Sequence, residues 1–300
     1  MIRVTFELPD DVSLDDQTFD GWRQRFRLEE EVPSDSGSKL RYVRRGRGLN
    51  RAISLYTHGI RDGHARDAMD RYTGARYTQH STGVPDGQAG FIAFFEDFLA
   101  RNPTRDIRIV RALEDGKHLF VHAYQNLNDG GAEWVTADFF ELDEDDRIVE
   151  HWDVIAAFAP ETPSGHTSID GATEVRDRDR TDENKAVVRT LIQDVLTEGG
   201  DVTRVSSLIA EEYTQHGQVP DGRAAFEAML AAPDRRLFYD EIVLLVGEGN
   251  FVATLCRARH NGEALAQADV FRLEDGKIVE HWDASEPVPP PEELVNSGKF

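Results

Sequence analysis

The chain contains the same short motifs twice, in the same order. Three tetrapeptides recur: Tyr-Thr-Gln-His at residues 77–80 and 213–216, Val-Pro-Asp-Gly at 84–87 and 219–222, and Glu-His-Trp-Asp at 150–153 and 280–283. The offset between the copies shortens from 136 to 130 residues, as expected when two copies of one domain gain or lose a few loop residues. This period is much longer than the ~20–50 residues of solenoid repeats, and it predicts duplication of a whole domain.

The repeats divide the chain into five segments. We predict an N-terminal segment of unknown role at 1–46, a first domain (copy one) at 47–160, a linker at 161–180, a second domain (copy two) at 181–288 and a tail at 289–300. The linker is rich in Asp, Gly, Thr and Ser, which is typical of exposed connections. The prolines that begin the tail end the last predicted strand, because proline cannot donate to a strand ladder.

The charge of the chain limits the partners that it can bind. The formal net charge is −22, and 29 of the 34 basic residues are Arg. Such a surface repels nucleic acid and anionic lipid, so we expect neither a nucleic acid nor a membrane as a partner. Two explanations of the acidity remain open: general solubility, or adaptation to high salt.

The cysteine and hydropathy patterns indicate a cytoplasmic protein. Cys256 is the one cysteine, which excludes an intramolecular disulfide and is consistent with a reducing compartment. Because Cys256 lies in an apolar run, we expect a buried, inert thiol. The sequence has no run of ~18 apolar residues, and its N-terminus lacks the pattern of a signal peptide.

Hydrophobic periodicity predicts helices followed by strands in each copy. In copy one, the helices are predicted at 49–60, 65–72 and 87–100, and the strands at 107–113, 118–126, 133–142 and 148–155. In copy two, the helices are predicted at 183–197, 203–209 and 222–231, and the strands at 237–246, 250–259, 264–273 and 278–284. The N-terminal segment is predicted to form a strand at 2–8, a helix at 15–28 and a strand at 40–43. Helices that precede an antiparallel meander indicate an α+β fold.

Alternation along the strands groups the candidate catalytic side chains. His151 and Asp153 share one face of the last strand of copy one, and Trp134 and Asp138 share one face of the strand before it. The middle strand groups Phe120, His122 and Tyr124.

A sheet that curls over helices would enclose an apolar pocket. Burial in such a pocket raises the pKa of a carboxyl group, which makes Asp a usable proton donor or acceptor near neutral pH. A neighbouring imidazole or second carboxyl group then stabilises an enolate. These residue types indicate proton abstraction next to a carbonyl group, which requires no metal and no organic cofactor.

Structural roles compete with these catalytic roles. Asp153 is also explained as a turn or cap residue, His80 as a loop histidine after a helix, and His151 as a cover for the outer face of the sheet. A buried Asp138 needs a fixed partner or a proton, so it is either structural or functional. The sequence lacks Cys-x-x-Cys, Gly-x-Gly-x-x-Gly, Walker and Gly-x-Ser-x-Gly motifs, so no metal or cofactor is expected.

The order of these motifs resembles the SnoaL-like polyketide cyclase family. The matching features are Tyr-Thr-Gln-His, Val-Pro-Asp-Gly, a Phe-rich helix, an Asp-x-Phe strand and Glu-His-Trp-Asp, over about residues 47–160 and 181–286. The resemblance implies the nuclear transport factor 2-like fold in each copy, a cone-shaped α+β barrel in which a curved sheet wraps around helices. It also implies a pocket in each cone and places the acid/base Asp of the family on Asp153 and Asp283.

The resemblance implies a cofactor-independent lyase or isomerase that acts on a small apolar or carbonyl-containing molecule. We expect four catalytic residues: Asp153 as the acid/base, with Asp138, His80 and His122 as orienting or oxyanion-stabilising groups. The expected substrate-binding residues are Tyr77, Tyr124, Trp134 and His151. In copy two, the expected equivalents of Asp153, Asp138 and His80 are Asp283, Asp269 and His216, respectively. The alternatives are a non-catalytic binding protein of the same fold and a structural scaffold.

The two copies differ at candidate pocket positions. Polar or aromatic residues of copy one are replaced in copy two: His122 by Leu255, Tyr124 by Arg257 and Trp134 by Leu265. We therefore predict that copy one is the active half. Members of this fold commonly dimerise through the outer face of the sheet, which implies an intrachain pseudo-dimer and leaves further homo-oligomers open.

Overall fold

The computed structural model describes residues 5–7, 26–34, 37–44 and 46–300. The N-terminal segment contributes a three-stranded sheet of order β1-β3-β2, made of β1 (Thr5–Glu7), β2 (Phe26–Ser34) and β3 (Gly37–Arg44). The predicted strand at 40–43 lies within β3, and β1 lies within the predicted strand at 2–8. The predicted helix at 15–28 is wrong at 26–28, where the chain forms β2; its remainder lies outside the described residues.

In copy one, three helices precede or interrupt a five-stranded sheet. The helices are α1 (Arg47–Ser54), which continues as wider π-type turns over Leu55–Arg61, α2 (Ala65–Tyr72) and α3 (Gly87–Arg101). The strands are β4 (Thr73–Gln79), β5 (Arg105–Asp115), β6 (His118–Leu127), β7 (Ala132–Leu142) and β8 (Ile148–Ala157). The sheet order is β4-β8-β7-β6-β5.

Copy two repeats this plan. Its helices are α4 (Thr181–Thr190), which continues as π-type turns over Leu191–Leu196, the short α5 (Val205–Leu208) and α6 (Arg223–Ala231). Its strands are β9 (Ile209–Gln215), β10 (Leu237–Glu248), β11 (Phe251–His260), β12 (Glu263–Glu274) and β13 (Lys277–Pro287), in the order β10-β11-β12-β13-β9. The predicted α+β class and tandem arrangement are confirmed. No helix in the described part of the chain combines the length and apolar character needed to cross a bilayer.

The strands β4 and β9 were not predicted. Each runs parallel to the last strand of its copy, so the sheets are mixed rather than purely antiparallel. Both strands carry two successive exposed residues, which breaks the alternation that marks a strand in sequence. Because these strands were missed, His80 was expected after a helix, whereas it follows β4. For the same reason, the predicted helix at 203–209 extends one residue too far, since β9 begins at residue 209.

The concave face of each sheet covers the core of its copy. In copy one, Phe91 and Phe98 of α3 are buried against Val121 and Phe140 of the sheet, as expected for the phenylalanine-rich helix. In copy two, the core includes Cys256, which is fully buried. Burial raises the pKa of the Cys256 thiol, which agrees with an inert side chain.

The convex faces of the two sheets pack against each other. A single apolar cluster joins Phe120, Phe139 and Trp152 of copy one to Phe251 and Trp282 of copy two. This arrangement provides the expected intrachain pairing of the copies through their outer faces.

Part of the linker is held against this junction by one arginine. The buried Arg111 of β5 donates hydrogen bonds to the backbone carbonyls of Ala172 (2.7 Å) and Ile169 (3.2 Å), and its guanidinium lies 3.8 Å from the ring centroid of Trp282. Burial lowers the pKa of Arg111 to about 10, so it remains a cation at neutral pH. The linker is therefore a docked segment, although its composition is typical of an exposed one.

Truncation of the junction should destabilise the whole chain. Phe139 is fully buried, and its ring centroid lies 5.0 Å from that of Phe120. We expect Phe139→Ala to lower the free energy of unfolding by about 3–5 kcal/mol, because the lost apolar contacts leave a cavity. Urea denaturation measures this, with Val295→Ala as the control, since Val295 is 54% exposed. Equal stabilities of the two variants would contradict the packing role.

Candidate active site

Each cone encloses a cavity between its sheet and its helices. The cavity of copy one is about 250 Å³, and that of copy two is about 570 Å³. Apolar and aromatic side chains form most of both walls. Four of the predicted residues line the cavity of copy one: Tyr77, Trp134, His151 and Asp153.

The register of β7 and β8 brings the two predicted carboxyl groups together. Asp138 and Asp153 are directly opposite each other in the ladder, so both side chains lie on the concave face. Asp138 is fully buried behind His151, and Asp153 is 5% exposed. The sequence therefore placed these residues on the correct common face.

Hydrogen bonds define the orientation of His151. The Oε1 atom of Gln79 accepts the backbone N–H groups of His80 and Ser81, both at 3.1 Å, which identifies it as the amide oxygen. The Nδ1 atom of His151 lies 2.8 Å from the same oxygen and must donate to it. The Nε2 atom of His151 then faces Oδ1 of Asp138 at 2.9 Å.

This geometry makes Asp138 and His151 a proton-sharing pair. Burial raises the pKa of Asp138, while the hydrogen bond with His151 acts in the opposite direction. Since the second ring nitrogen already donates to Gln79, the contact between the pair needs one proton on either the carboxyl group or Nε2. The contact between the pair thus holds a proton next to the cavity.

Copy two contains the equivalent pair with more donors around it. The Nε2 atom of His281 lies 3.0 Å from Oδ1 of Asp269, and Nδ1 lies 3.0 Å from Oε1 of Gln215. Oδ1 of Asp269 also accepts hydrogen bonds from the Tyr239 hydroxyl at 2.9 Å and the Gln267 amide at 3.1 Å. Asp269 thus accepts more hydrogen bonds than Asp138, its equivalent in copy one.

Asp153 of copy one and its equivalent in copy two, Asp283, have different surroundings. Asp283 lines the cavity of copy two and pairs in register with Asp269. Within residues 46–300 it forms no ion pair, and burial raises its pKa, although the nearby His281 opposes this. In copy one, the Nζ atom of Lys299 lies 3.3 Å from Oδ1 of Asp153. Lys299 belongs to the tail, and sequence reasoning did not identify it.

Tyrosine hydroxyls complete both sites. The hydroxyl groups of Tyr77 and Tyr213 are buried and have no hydrogen-bond partner among the described residues. Both side chains line the cavities. Burial raises the pKa of each phenol, so each retains its proton and is available as a donor to a ligand. Tyr213 could have been identified as the equivalent of Tyr77 in the repeated Tyr-Thr-Gln-His motif.

Two predicted histidines lie outside the cavities, on the convex side. His80 stacks on Trp152 with ring centroids 4.9 Å apart, and its Nε2 atom lies 2.9 Å from Glu150. His216 stacks in the same way on Trp282, at 4.6 Å. The backbone of each histidine follows the inward-facing Gln, so strand alternation turns the imidazole to the opposite face.

His122 and Tyr124 also face away from the cavity of copy one. His122 is opposite Ala137, whereas the preceding Val121 is opposite Asp138 and occupies the concave face. Burial lowers the pKa of His122 to about 3, and Arg111 contributes to this, so the imidazole is neutral at physiological pH. The grouping of these side chains was correct, but the group lies on the convex face. The replacements of His122 by Leu255 and of Tyr124 by Arg257, which favoured copy one as the active half, therefore do not change the cavity wall.

Comparison with known families places the chain in one of them. The family model described as a SnoaL-like domain matches residues 53–151 and 188–281, and the chain belongs to this family. Each match covers one cone, as the repeated motifs predicted. No curated protein sequence matches the chain.

Several solved structures are similar to one copy of the chain. A proposed ketosteroid isomerase from Kribbella flavida DSM 17836 is 20% identical over 39% of this chain and 90% of its own, with a TM-score of 0.31. IdmH, a proposed polyketide cyclase from Streptomyces antibioticus, is 15% identical over 36% of this chain and 91% of its own, with a TM-score of 0.32. An LEH-like epoxide hydrolase from M. tuberculosis is 18% identical over 36% and 85%, with a TM-score of 0.31.

The raised pKa of Asp283 has a consequence for stability. An unfolded Asp has a pKa near 3.9, so a higher folded pKa contributes stability below that pH and loses it as the pH rises through the folded value. Relative to wild type, we expect Asp283→Asn to gain stability from about pH 4 upwards, by about 1.4 kcal/mol for each unit of the raised pKa.

Denaturation at a series of pH values measures this difference. Asp234→Asn is the matched control, because Asp234 lies exposed on the rim of the same cavity. A constant difference between Asp283→Asn and wild type across the pH range would show that Asp283 is not perturbed.

Proposed function

We propose that the chain is a small-molecule enzyme that performs acid/base chemistry next to a carbonyl group. The reaction class is aldol-type cyclisation or isomerisation, without a cofactor, and the substrate is a small apolar or carbonyl-containing molecule. The observation that supports this most directly is Asp283, a half-buried carboxyl group in the wall of a largely apolar cavity, where it has no counter-ion within residues 46–300. We further propose a cytoplasmic location, from the cysteine and hydropathy patterns, and the domain boundaries given above, from the repeated motifs.

The residues of copy two suggest how the reaction proceeds. Tyr213 donates a hydrogen bond to the substrate carbonyl oxygen, because its hydroxyl has no other acceptor among the described residues. The Asp283 carboxylate accepts the proton from the adjacent carbon, and the electron pair of the broken C–H bond moves into the enolate. The hydrogen bond from Tyr213 strengthens as negative charge develops on the oxygen.

The enolate then follows one of two routes. In isomerisation, the proton on Asp283 returns to a different carbon of the substrate. In aldol closure, the enolate carbon attacks a second carbonyl group, and the resulting alkoxide takes up the proton. The raised pKa of Asp283 makes its carboxylate a stronger proton acceptor than an ordinary Asp, which suits proton abstraction and return. His281, whose two ring nitrogens contact Asp269 and Gln215, forms part of the wall of the same cavity.

The second candidate function is ligand binding without chemistry. The ion pair between Asp153 and Lys299 favours it for copy one, because a carboxylate with a fixed counter-ion is a weaker proton acceptor. Copy one then retains an apolar cavity without a competent base.

Exchange of substrate protons with solvent tests the enzymatic proposal without knowledge of the natural substrate. Apolar ketones and β-diketones are incubated with protein in D₂O, and the loss of their α-protons is followed by NMR. We expect wild-type protein to accelerate exchange and Asp283→Asn to slow it by about 10²–10⁴-fold, the usual contribution of a positioned base. Asp234→Asn serves as the control. Tight binding without accelerated exchange would support the binding protein instead.

Removal of the Tyr213 hydroxyl separates catalysis from stability. Tyr213→Phe removes a buried hydroxyl that has no partner among the described residues, so we expect no loss in the free energy of unfolding. The same substitution should reduce the exchange rate by about 10²–10³-fold, as for loss of one oxyanion donor. A variant that is destabilised but fully active would assign the hydroxyl a structural role.

A further inference from the structure

The tail docks on copy one although it follows copy two in the chain. The side-chain amide of Asn296 donates hydrogen bonds to the backbone carbonyls of Ser81 (2.7 Å) and Val84 (2.9 Å). The backbone carbonyl of Gly298 lies 2.6 Å from Nδ1 of His80. These contacts hold the tail against the loop that follows β4, at the rim of the cavity.

The tail inserts one buried cation into this site. The side chain of Lys299 is 1% exposed, and its Nζ atom lies 3.3 Å from Asp153, 2.8 Å from Glu286 and 3.3 Å from the hydroxyl of Thr82. An ammonium group has three donors, and here each has one acceptor. A buried charge requires such partners, so Lys299 serves as a counter-ion that Asp153 shares with Glu286.

A segment also caps the cone of copy two, but it brings an acidic residue instead of a lysine. Its capping segment is the linker, in which the carbonyl of Thr167 lies 3.0 Å from Nδ1 of His216 and thus replaces Gly298 of the tail. The linker brings Asp170 to His216, at 2.7 Å, and no lysine.

The carboxyl group of Asp283 is placed differently from that of Asp153. It lies against Gly217, where a Cβ atom would be 2.0 Å from its Oδ1 atom. Copy one has Ser81 at the corresponding place in the motif. The glycine therefore leaves the space that the carboxyl group of copy two occupies.

We propose that Lys299 is a positioning residue that holds Asp153 in a fixed ion pair, so that copy two is the half that transfers protons and copy one is a half that binds ligand. The assignment of the halves rests on the proposed function, whereas the role of Lys299 toward Asp153 does not. It reverses the prediction that copy one is the active half.

Several charged or titratable groups act on Asp153 besides Lys299. The sheet contributes Asp138 and His151 from the neighbouring positions of β7 and β8, and Tyr77 from β4. Glu286 of β13 competes for the same ammonium group. Lys299 is the one lysine or arginine among the described residues that forms an ion pair with Asp153.

Carbon-13 NMR of protein labelled at the aspartate carboxyl carbons tests the role of Lys299 directly. The Asp153 resonance is identified by its absence in Asp153→Asn. In Lys299→Met, we expect the titration midpoint of this resonance to rise by about 1–3 pH units, the effect of losing an adjacent opposite charge. Lys299→Arg should retain the wild-type midpoint, as should Lys117→Met, in which an exposed lysine is replaced. An unchanged midpoint in Lys299→Met overturns the proposal.

A second variant provides the same test if Lys299→Met does not fold. Lys299→Met leaves two carboxylates without their cation, so the double variant Lys299→Met/Glu286→Gln removes one of those charges as well. The same upward movement of the Asp153 midpoint in the double variant supports the proposal, and its absence overturns it.

The proton-exchange assay tests the division of roles between the copies, in which copy two transfers protons and copy one binds ligand. We expect Asp283→Asn to abolish accelerated exchange and Asp153→Asn to retain most of it. The opposite pattern overturns the division. Absence of exchange in wild-type protein refutes the proposed function instead, and the NMR titration then decides the role of Lys299 on its own.

Discussion

The packing of two convex sheet faces against each other is the contact on which the rest of the structure depends. It buries Phe120, Phe139 and Trp282 in one cluster and removes both outer faces from solvent. The concave faces are then the ones left for ligands, each closed by helices of its own copy. Polar groups caught at the junction, such as Arg111 and His122, become structural because each is buried beside fixed partners. Duplication thus places within one chain a contact between the outer faces of two cones.

Repetition of a motif does not produce two equal sites. Both copies orient a histidine between a glutamine and an aspartate, and both place a second aspartate in register with the first. The segments that cap the cones differ, however, because one is the linker and the other is the tail. A cation reaches Asp153 from the tail, while Asp283 remains unpaired within residues 46–300. The electrostatic environment of Asp153 therefore depends on a segment outside the repeat.

Much of the fold was predictable, since duplicated motifs and hydrophobic periodicity are local in the sequence. Strand alternation correctly grouped Asp138 with Trp134 and His151 with Asp153. It does not say which face of a strand is concave, and for this reason Tyr124 and His122 were assigned to the wrong side. The strands β4 and β9 were missed because their exposed pairs break the alternation. Lys299 was missed because no local pattern links a residue in the tail to a strand almost 150 positions earlier.

The sequence by itself determined the tandem α+β architecture, the family and the pairing of acidic residues on common strand faces. These features follow from composition and period, which neighbouring residues specify together. Tertiary structure alone decided the sizes of the two cavities, the outward positions of His80 and His216, and the counter-ion of Asp153. Those depend on sheet curvature and on the docking of distant segments. Burial and charge at a site are sums over everything that surrounds it, and most of those surroundings are remote in the chain.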